Sequence, residues 1–404
     1  MVLGRTIAIA LGLLFSSWLP AHDVYHAYRL PAPQNAFQVT AINDSSQVSG
    51  TVTTSTGSFP IIWDPKFGLQ YAEVRPGVPL KGGFANDISE HGEIAVAQLN
   101  AAPQKAFKWS VSGGTVDLGS LIHGGSAVAE GINNSGHVVG QAWVLGGSRA
   151  FFWSLETGMI SIEDLPVFAF ASGRDINGVG IVCGNKSTGV FTWDMKSGVQ
   201  SLTAPPGYKW AEVVRINEHG VVCGTVASIY GGSAALYDPQ IGTTILHPDP
   251  PILSVGRDLN ESGQVVGWMK RNSAFAATSH AFVWDAENGM RPLSEMLDAF
   301  SAKHVVLGGT VKTAWAINNK GQILAKDGPG AVILTPFLLG DVNCDGLLSQ
   351  EDVSGLITLL GSKRSYPVDP KTEAYGECGW WAGDMNQDAE LTIADLPLLL
   401  EKLK

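Results

Sequence analysis

The chain is poor in charge, in histidine and cysteine, and in long apolar runs. Only 16% of its 404 residues are charged, and it contains 9 histidines and 4 cysteines. The histidines are scattered without metal-ligand spacing. After the first 21 residues no apolar run reaches the roughly 18 residues expected of a membrane-spanning helix. These absences predict a soluble mature protein without a histidine-based metal site.

Catalytic signatures are also missing. The sequence has no Gly-x-Ser-x-Gly elbow, no His-Glu-x-x-His pair and no phosphate-binding glycine loop. The net charge of −11 disfavours nucleic acid, whose phosphates would repel the chain. Asp117, Glu130, Asp175 and Asp258 are candidates for a glycosidase pair, which needs a defined separation in space. For Asp175 and Asp258 we favour salt bridging between repeats or strand capping.

Residues 1–21 have the pattern of a secretory signal peptide. Arg5 supplies the positive charge, an apolar stretch follows, and Ala21 is a small residue at a plausible cleavage point. An uncleaved N-terminal anchor is the alternative. The sequence therefore predicts a secreted, extracellular or cell-surface bacterial protein.

What the chain has in abundance is a repeat, in which an aliphatic residue precedes Asn-x-x-Gly-x-aliphatic-aliphatic. The leading aliphatics are spaced 46, 44, 44, 40, 43 and 58 residues apart. They are Ile42, Ile88, Ile132, Ile176, Ile216, Leu259 and Ile317. A period in the forties is typical of propeller blades or helical arrays. Short segments rich in Val, Ile, Phe and Trp, punctuated by glycine, indicate strands.

Each repeat predicts four strands. Asn is favoured at the first position of a type I turn and Gly at the fourth, so the motif predicts a tight hairpin. An aromatic strand such as Ala281–Asp285 follows, and then a glycine and a short outer strand. Ser46 replaces the glycine of one turn and Ser89 the asparagine of another, so we expect those turns to be less sharply defined.

The seventh repeat lacks an outer strand, because Pro336 leads almost directly into an acidic tail. The segment His26–Pro31 is a spare strand that would close the ring and leave no open edge. We therefore predict a mainly β protein, with a seven-bladed β-propeller over residues 22–339 closed by its N-terminal strand. A six-bladed ring and an open β-solenoid are the alternatives.

The repeats resemble the extracellular HAF-repeat family, which is named for a strand that stands here as His280-Ala281-Phe282. The resemblance covers residues 24–336 and implies an exported β protein without a settled activity. His280 itself is interpreted as a solvent-facing strand end, because the other repeats carry Lys105, Arg149 or Gly189 in that position.

The cysteines fall into two pairs. Cys183 and Cys223 occupy the same position in neighbouring repeats, where other copies carry Val or Ala, and we interpret them as small core residues. Cys344 and Cys378 lie in the tail, and we expect them to form a disulfide. An exported protein can retain such a bond.

The tail, residues 340–404, is strongly acidic, with 12 Asp and Glu against 5 Lys and Arg. It contains two loops with oxygen ligands at positions 1, 3, 5, 9 and 12 and a backbone carbonyl at position 7, a spacing that Ca²⁺ requires. The first loop offers Asp341, Asn343, Asp345, Ser349, Asp352 and the Leu347 carbonyl. The second offers Asp384, Asn386, Asp388, Thr392, Asp395 and the Glu390 carbonyl. Helices are expected over 353–360 and 393–403. The sequence predicts two calcium sites in a small all-α domain.

Residues 340–404 resemble type I dockerin modules, through the Gly-Asp start of both loops and Asp rather than Glu at position 12. The resemblance implies a calcium-folded module that binds a cohesin-like domain on a scaffold or cell surface. It also implies that loop positions 10 and 11 contact the partner, here Gln350, Glu351, Ile393 and Ala394. A calcium-stabilised cap without a partner is the alternative.

Taken together, the sequence predicts a secreted, non-catalytic interaction protein, a propeller platform with a calcium-dependent docking tail. Dockerin-like modules often accompany polysaccharide-degrading enzymes. The alternatives are therefore a glycoside hydrolase or polysaccharide lyase with its site in the propeller funnel, or a carbohydrate-binding propeller.

Overall fold

The fold was analysed in a computed structural model. It describes residues 24–31, 37–162, 169–247, 252–271, 279–299, 301–306, 308, 310–328, 330–342, 348–361, 382–388 and 391–403. The predicted signal peptide lies outside these residues. Within them, no helix is long and apolar enough to cross a membrane.

Seven four-stranded antiparallel sheets form the blades of a β-propeller, as predicted. Strands are numbered along the chain, and within blades 1 to 6 they run in sequence from the axis outward. Blade 1 contains β2 (Phe37–Ile42), β3 (Val48–Thr54), β4 (Gly57–Asp64) and β5 (Gly68–Tyr71). Blade 2 contains β8 (Gly83–Ile88), β9 (Ile94–Gln98), β10 (Lys105–Ser110) and β11 (Gly114–Asp117). The hairpin β6 (Glu73–Arg75) and β7 (Val78–Pro79) lies between these two blades in the chain.

The next four blades repeat this arrangement. Blade 3 contains β12 (Ala127–Ile132), β13 (Val138–Val144), β14 (Gly147–Ser154) and β15 (Gly158–Ser161). Blade 4 contains β16 (Ala171–Ile176), β17 (Val182–Lys186), β18 (Gly189–Asp194) and β19 (Gly198–Ser201). Blade 5 contains β20 (Lys209–Ile216), β21 (Val222–Ser228), β22 (Gly231–Asp238) and β23 (Gly242–Ile245). Blade 6 contains β24 (Ile252–Leu259), β25 (Val265–Arg271), β26 (His280–Asp285) and β27 (Gly289–Pro292).

Blade 7 is completed by the N-terminal strand, which confirms the predicted closure. Its sheet contains β28 (Thr313–Ile317), β29 (Ile323–Lys326) and β30 (Ala331–Phe337), with β1 (Val24–Arg29) outermost. β1 runs antiparallel to β30. Ala27 is fully buried, and its N–H donates to the Ser301 hydroxyl at 2.7 Å. His26 lies 3.0 Å from the Asp298 carboxylate. The first and last parts of the propeller chain therefore share one sheet.

The apolar core lies mainly between neighbouring blades. One cluster, for example, joins Ile62 of blade 1 to Ile88, Ile94 and Phe107 of blade 2. Cys183 and Cys223 are buried free thiols, which confirms their interpretation as core residues. Each sheet thus buries both faces against its neighbours, which accounts for the high fraction of Val, Ile, Phe and Trp.

The repeat asparagine forms the turn and also joins the blades. In blade 3 the Asn133 Oδ1 accepts the N–H groups of Ser135 and His137, both at 3.0 Å. The Gly136 N–H donates to the Asn133 carbonyl at 3.0 Å. The Nδ2 of the same side chain donates to the Asn177 carbonyl of blade 4 at 2.9 Å. One amide therefore caps its own hairpin and bonds to the next blade.

This contact recurs around the ring and crosses its closure. Asn43, Asn133, Asn177, Asn217, Asn260 and Asn318 each donate through Nδ2 to the backbone carbonyl at the equivalent position of the next blade. The bond from Asn318 to the Asn43 carbonyl, at 2.9 Å, joins blade 7 to blade 1. In blade 2, Ser89 replaces the asparagine and has no amide to donate. The relay therefore has six links for seven blades.

The two divergent turns keep the same geometry, so the expectation that they are less sharply defined was wrong. Ser46 adopts φ of 61° in place of glycine, and its N–H donates to the Asn43 carbonyl at 2.9 Å. The Ser89 hydroxyl accepts the Glu93 N–H at 3.2 Å, a bond that Asn Oδ1 makes in other blades. Local hydrogen bonds are sufficient to hold both turns.

Two helices lie wholly within the described tail residues, α1 (Gln350–Gly361) and α2 (Asp395–Lys402). α1 begins three residues before the predicted start, and α2 begins two residues after it. Leu356 and Leu399 are fully buried in a small core that joins the two helices. The tail contacts the propeller through Ala382, which packs on Phe337, and through Gln387, whose Oε1 accepts the Ala299 N–H at 3.2 Å.

We predict that Ser89→Asn stabilises the protein by about 0.5–1.5 kcal/mol, because it supplies the seventh link of the relay without changing the turn. The matched variant Asn133→Ser removes an existing link and should destabilise the protein by a similar amount. Chemical denaturation of both variants measures the difference. Equal or lower stability of Ser89→Asn would contradict the role assigned to the relay.

Candidate functional site on the propeller axis

Every inner strand carries a β-bulge immediately before the repeat aliphatic. The bulge places two positions near the axis, the residue directly before the aliphatic and the one before that, and the residue type at both varies between blades. The register shift lies between Gly173 and Asp175 in blade 4, for example, and between Val213 and Arg215 in blade 5. We name the residue before the aliphatic the axis residue. The series is Ala41, Asp87, Gly131, Asp175, Arg215, Asp258 and Ala316. Bulges often re-aim side chains beside functional sites.

The axis residues of four blades form one ion cluster, the Arg215 cluster. Arg215 Nη2 lies 3.0 Å from Asp87 Oδ1. Its Nη1 is 3.7 Å from Asp175 Oδ1, and its Nε is 3.5 Å from Asp258 Oδ1. Asp175 and Asp258 belong to the neighbouring blades 4 and 6, but Asp87 belongs to blade 2, so the guanidinium of blade 5 reaches across the axis to bind it. The Arg215 side chain is only 15% exposed.

Each carboxylate of the cluster also binds the backbone of a following blade. The Oδ2 atoms of Asp87, Asp175 and Asp258 accept the N–H groups of Ile132, Ile216 and Ile317 at 2.8 to 3.0 Å. These contacts confirm the interpretation of Asp175 and Asp258 as bridges between repeats and strand caps. Carboxylates that hold charge-assisted bonds to fixed backbone groups are well satisfied structural groups.

Burial changes the protonation of this cluster. It raises the pKa of Asp175 to about 7 and that of Asp258 to about 6, although Arg215 opposes both shifts. Burial also raises the pKa of Asp87 against the pull of Arg215. For Arg215 burial alone would lower the pKa, but Asp87, Asp175 and Asp258 together raise it. The cluster therefore holds a cation among three carboxyl groups whose pKa values are all raised by burial.

On the hairpin side, the Arg215 cluster forms the floor of an axial cavity of about 350 Å³. Its rim is formed by the residue after each repeat asparagine. Most rim side chains accept a backbone N–H of the preceding blade; Glu218 Oε1, for instance, accepts from Gly178 at 2.8 Å, and Asp44 Oδ1 from Asn319 at 2.7 Å. Burial raises the pKa of Glu90 and of Glu261. The acidic rim is thus a second ring of contacts between blades.

A different set of side chains lies beyond the Arg215 cluster. The bulge residues, one position before the axis residues, do not line the hairpin-side cavity. Apart from Thr40 and Val214, the bulge residues are together named the far-side cluster, and they are Asn86, Glu130, Arg174, Arg257 and Trp315. All five are partly exposed.

The far-side cluster contains two interblade pairs. Arg174 Nη1 lies 3.3 Å from Glu130 Oε2, with the two side chains 33% and 23% exposed. The Arg257 guanidinium stacks on Trp315, 5.1 Å from the ring centroid. Burial raises the pKa of Glu130, while Arg174 and Arg215 lower it. The Nε atoms of Arg174 and Arg257 and the Trp315 Nε1 are buried without a hydrogen-bond partner among the described residues.

Three of the four glycosidase candidates therefore converge on the axis. Asp117 does not, because it lies on the outer strand β11, where it pairs with Lys105 at 3.1 Å. Sequence reasoning missed Asp87 and Arg215. The sequence did contain a signal for both residues. At the axis-residue position three repeats carry Asp and one carries Arg, whereas the other three carry Ala or Gly. Across-axis contact cannot be derived from such a series alone.

The described tail residues include the first and last residues of both predicted calcium loops. Asp352 is fully buried, and its two oxygens accept the N–H groups of Val342 at 2.8 Å and Ser349 at 2.7 Å. Asp395, also fully buried, accepts from Met385 at 2.9 Å and Thr392 at 2.8 Å. The two loops thus share one pattern, in which the last carboxylate draws the start and end of the loop together.

Other predicted ligands lie within these loops. Asp341 and Asp384 are buried at the loop starts. Asp388 N–H donates to Asp384 Oδ1 at 3.2 Å and to Asn386 Oδ1 at 3.0 Å. Asn343, Asp345, Leu347 and Glu390, and the cysteines Cys344 and Cys378, lie outside the described residues. Among the residues the structure describes, no group of three or more His, Cys, Asp or Glu is arranged to hold a metal ion.

The residues predicted to contact a docking partner lie on the tail surface. Gln350 and Glu351 are exposed in the first turn of α1. Ile393 and Ala394 are exposed in the turn before α2, and 72% of the Ile393 surface is accessible. Their predicted role stays a prediction.

Comparison with known proteins supports the fold. No family model matches the chain, and no curated protein matches it. Among solved structures, a catalytically inactive virginiamycin B lyase from Staphylococcus aureus with quinupristin is 12% identical, with a TM-score of 0.51, covering 78% of this chain and 100% of that chain. A streptogramin B lyase is 13% identical, with a TM-score of 0.50 and coverage of 78% and 99%.

An oligogalacturonate lyase from Vibrio parahaemolyticus is 12% identical, with a TM-score of 0.50, covering 78% of this chain and 92% of that chain. At identities this low, the likeness shows a shared seven-bladed β-propeller fold alone.

We predict that Arg215→Met lowers the free energy of unfolding by about 3–5 kcal/mol, because it leaves buried carboxylates without their counter-charge. The exposed variant Arg75→Met is the matched control and should change stability little. Denaturant titration of both variants at neutral pH measures the effect. Wild-type stability of Arg215→Met would contradict the role of the cluster.

The loss of stability predicted for Arg215→Met should increase as the pH rises. Since the pKa values of Asp175 and Asp258 are raised in the folded protein, their contribution to stability is full below about pH 4 and is lost as pH rises to about 7. Removing Arg215 removes the group that opposes this shift. Arg215→Met should therefore be more destabilising at pH 8 than at pH 5.

Proposed function

We propose that this protein is a non-catalytic binding protein, in which a closed propeller is the platform and the tail is a calcium-dependent docking module. The observation that carries the first part is the engagement of the Arg215 cluster. A general acid or base must exchange a proton with substrate, and Asp87, Asp175 and Asp258 instead bind a guanidinium and backbone N–H groups in the interior.

The second part rests on the chemistry of the tail loops. The donors Asp341, Ser349, Asp352, Asp384, Asn386, Asp388, Thr392 and Asp395 are all hard oxygen ligands, which fit Ca²⁺. Asp352 and Asp395 bind equivalent backbone positions in the two loops. A bound cation would neutralise the carboxylates of each loop and fix the position of the helix that follows. We propose two Ca²⁺ sites on these grounds.

The partner proposed for the tail is a cohesin-like domain or a cell-surface scaffold. Gln350, Glu351, Ile393 and Ala394 are exposed, as contact residues must be. Ile393 in particular presents apolar area that the tail core does not use. With the predicted signal peptide, this supports a secreted protein that is retained at a surface.

An enzyme is the second candidate, and Glu130 is the observation that favours it. Burial raises the pKa of this partly exposed carboxyl group, which lies beside Arg174 near the axis. Perturbed carboxyl groups in a cleft are candidates for acid–base chemistry. The similar structures include lyases, one of them named for oligogalacturonate. A polysaccharide lyase or hydrolase would have to use this side of the ring.

We predict that the purified protein releases no products from a panel of neutral and acidic polysaccharides. Reducing ends and unsaturated products, followed by absorbance, measure cleavage. Glu130→Gln is the control, and wild type and variant should both remain at background. Turnover by wild type that disappears in Glu130→Gln would establish the enzyme and contradict the non-catalytic proposal.

We predict that the full chain, freed of metal with chelator, binds two Ca²⁺ ions and is stabilised by them. At a free concentration of about one hundred times Kd, the tail should gain about 2.7 kcal/mol for each site. Calorimetric titration and helicity measure binding and folding. Asp384→Asn should remove one of the two sites, while the exposed variant Asp117→Asn should retain both. Absence of binding heat and of any helicity change would contradict the calcium proposal.

A further inference from the structure

The far-side cluster differs in charge from the rest of the molecule. Glu130, Arg174 and Arg257 together carry a net charge of one positive unit, whereas the protein carries −11. Arg174 is paired with Glu130, but no ion pair is found for Arg257 among the described residues. Stacking on Trp315 leaves the hydrogen-bonding edge of a guanidinium available, because the stack uses only its flat face. An unpaired, partly exposed guanidinium near the axis is a group suited to bind an anion.

The same cluster contains donors that the protein does not satisfy. The Nε atoms of Arg174 and Arg257 and the Nε1 of Trp315 come from blades 4, 6 and 7 and have no acceptor among the described residues. A buried donor without an acceptor is costly, and native proteins leave few of them. By contrast, the Arg215 cluster one layer away has each carboxylate bonded. Three of the seven buried side-chain atoms without a partner among the described residues thus belong to the far-side cluster, whose side chains are also partly exposed.

The inner-strand bulges give these residues the same position in each inner strand, next to the axis residue. In blades 4, 6 and 7 the register shifts across Arg174, Arg257 and Trp315, so these residues stand out of the ladder beside the axis residues. Asn86 in blade 2 donates to the Ala129 carbonyl of blade 3 at 2.7 Å and keeps the neighbouring inner strands together. The cluster is therefore held by backbone geometry of the sheet rather than by loops.

We propose that the far-side cluster binds a carboxylate-bearing sugar, with Arg257 and Arg174 on the carboxylate and the Trp315 N–H on an uncharged oxygen. This inference rests on the proposed non-catalytic function and names its ligand class. A planar carboxylate matches the fork of a guanidinium. The net charge of one positive unit suits a monoanionic carboxylate better than a dianionic phosphate. The neutral indole donor suits a hydroxyl group.

Trigalacturonate is the probe, and its fully methyl-esterified form is the matched ligand without charge. The full-length protein, loaded with calcium, should bind trigalacturonate in calorimetric titration and bind the ester at least tenfold more weakly. Arg257→Gln should weaken binding of trigalacturonate at least tenfold, as expected for loss of a charge-assisted hydrogen bond. The exposed variant Arg75→Gln should bind as wild type.

A second variant is expected to bind trigalacturonate more tightly, a result that misfolding could not produce. Glu130→Gln removes the negative charge beside Arg174 and should strengthen trigalacturonate binding about threefold, in the range of a partly exposed ion pair. Undetectable binding, equal binding of acid and ester, or unchanged binding in Arg257→Gln would each overturn the ligand assignment.

The proposed non-catalytic function and the proposed ligand can be contradicted independently of each other. Chromatography of the same samples detects shortened sugar. Cleavage would contradict the non-catalytic function while supporting the assigned ligand. Absence of binding, with calcium uptake by the tail intact, would overturn the ligand and leave the docking function standing.

Discussion

One arginine on the axis determines much of this propeller. Arg215 reaches from blade 5 to carboxylates of blades 2, 4 and 6, and each carboxylate in turn bonds the backbone of a following blade. Breaking the ion cluster would therefore disturb four blades and three interblade hydrogen bonds together. A buried ion cluster is not in itself a source of stability, since desolvation opposes the attraction. Its specific effect is to make the arrangement of the blades interdependent.

The hydrogen-bond relay of the repeat asparagines adds a second, distributed constraint. Each link is worth little, but every link joins equivalent positions and one of them crosses the closure between blade 7 and blade 1. The N-terminal strand closes the same blade from its outer edge. The inner and outer edges of blade 7 are thus both tied to distant parts of the chain. This explains how a ring of similar repeats avoids an exposed sheet edge.

Much of this fold could be predicted from the sequence because its cause is local and periodic. The Asn-x-x-Gly turns, the aromatic strands and the missing outer strand of repeat seven are all visible as pattern. The second role of asparagine, the bond to the next blade, was not visible, because it joins residues about forty positions apart. Ser46 and Ser89 show the same limit, since their turns keep their shape through bonds that propensity does not describe. Arg215 was missed because axis residues have no common type.

Structural and ligand-accessible groups lie at different levels along the propeller axis. The carboxylates near the centre are committed to structure, while partly exposed and unsatisfied groups lie on the far side. The most direct test of this division is native-state hydrogen exchange at the N–H groups of Ile132, Ile216 and Ile317. The account predicts that these amides exchange among the slowest in the protein, through global unfolding only. Exchange as fast as that of exposed turn amides would show that the axial carboxylates are accessible and would contradict the account.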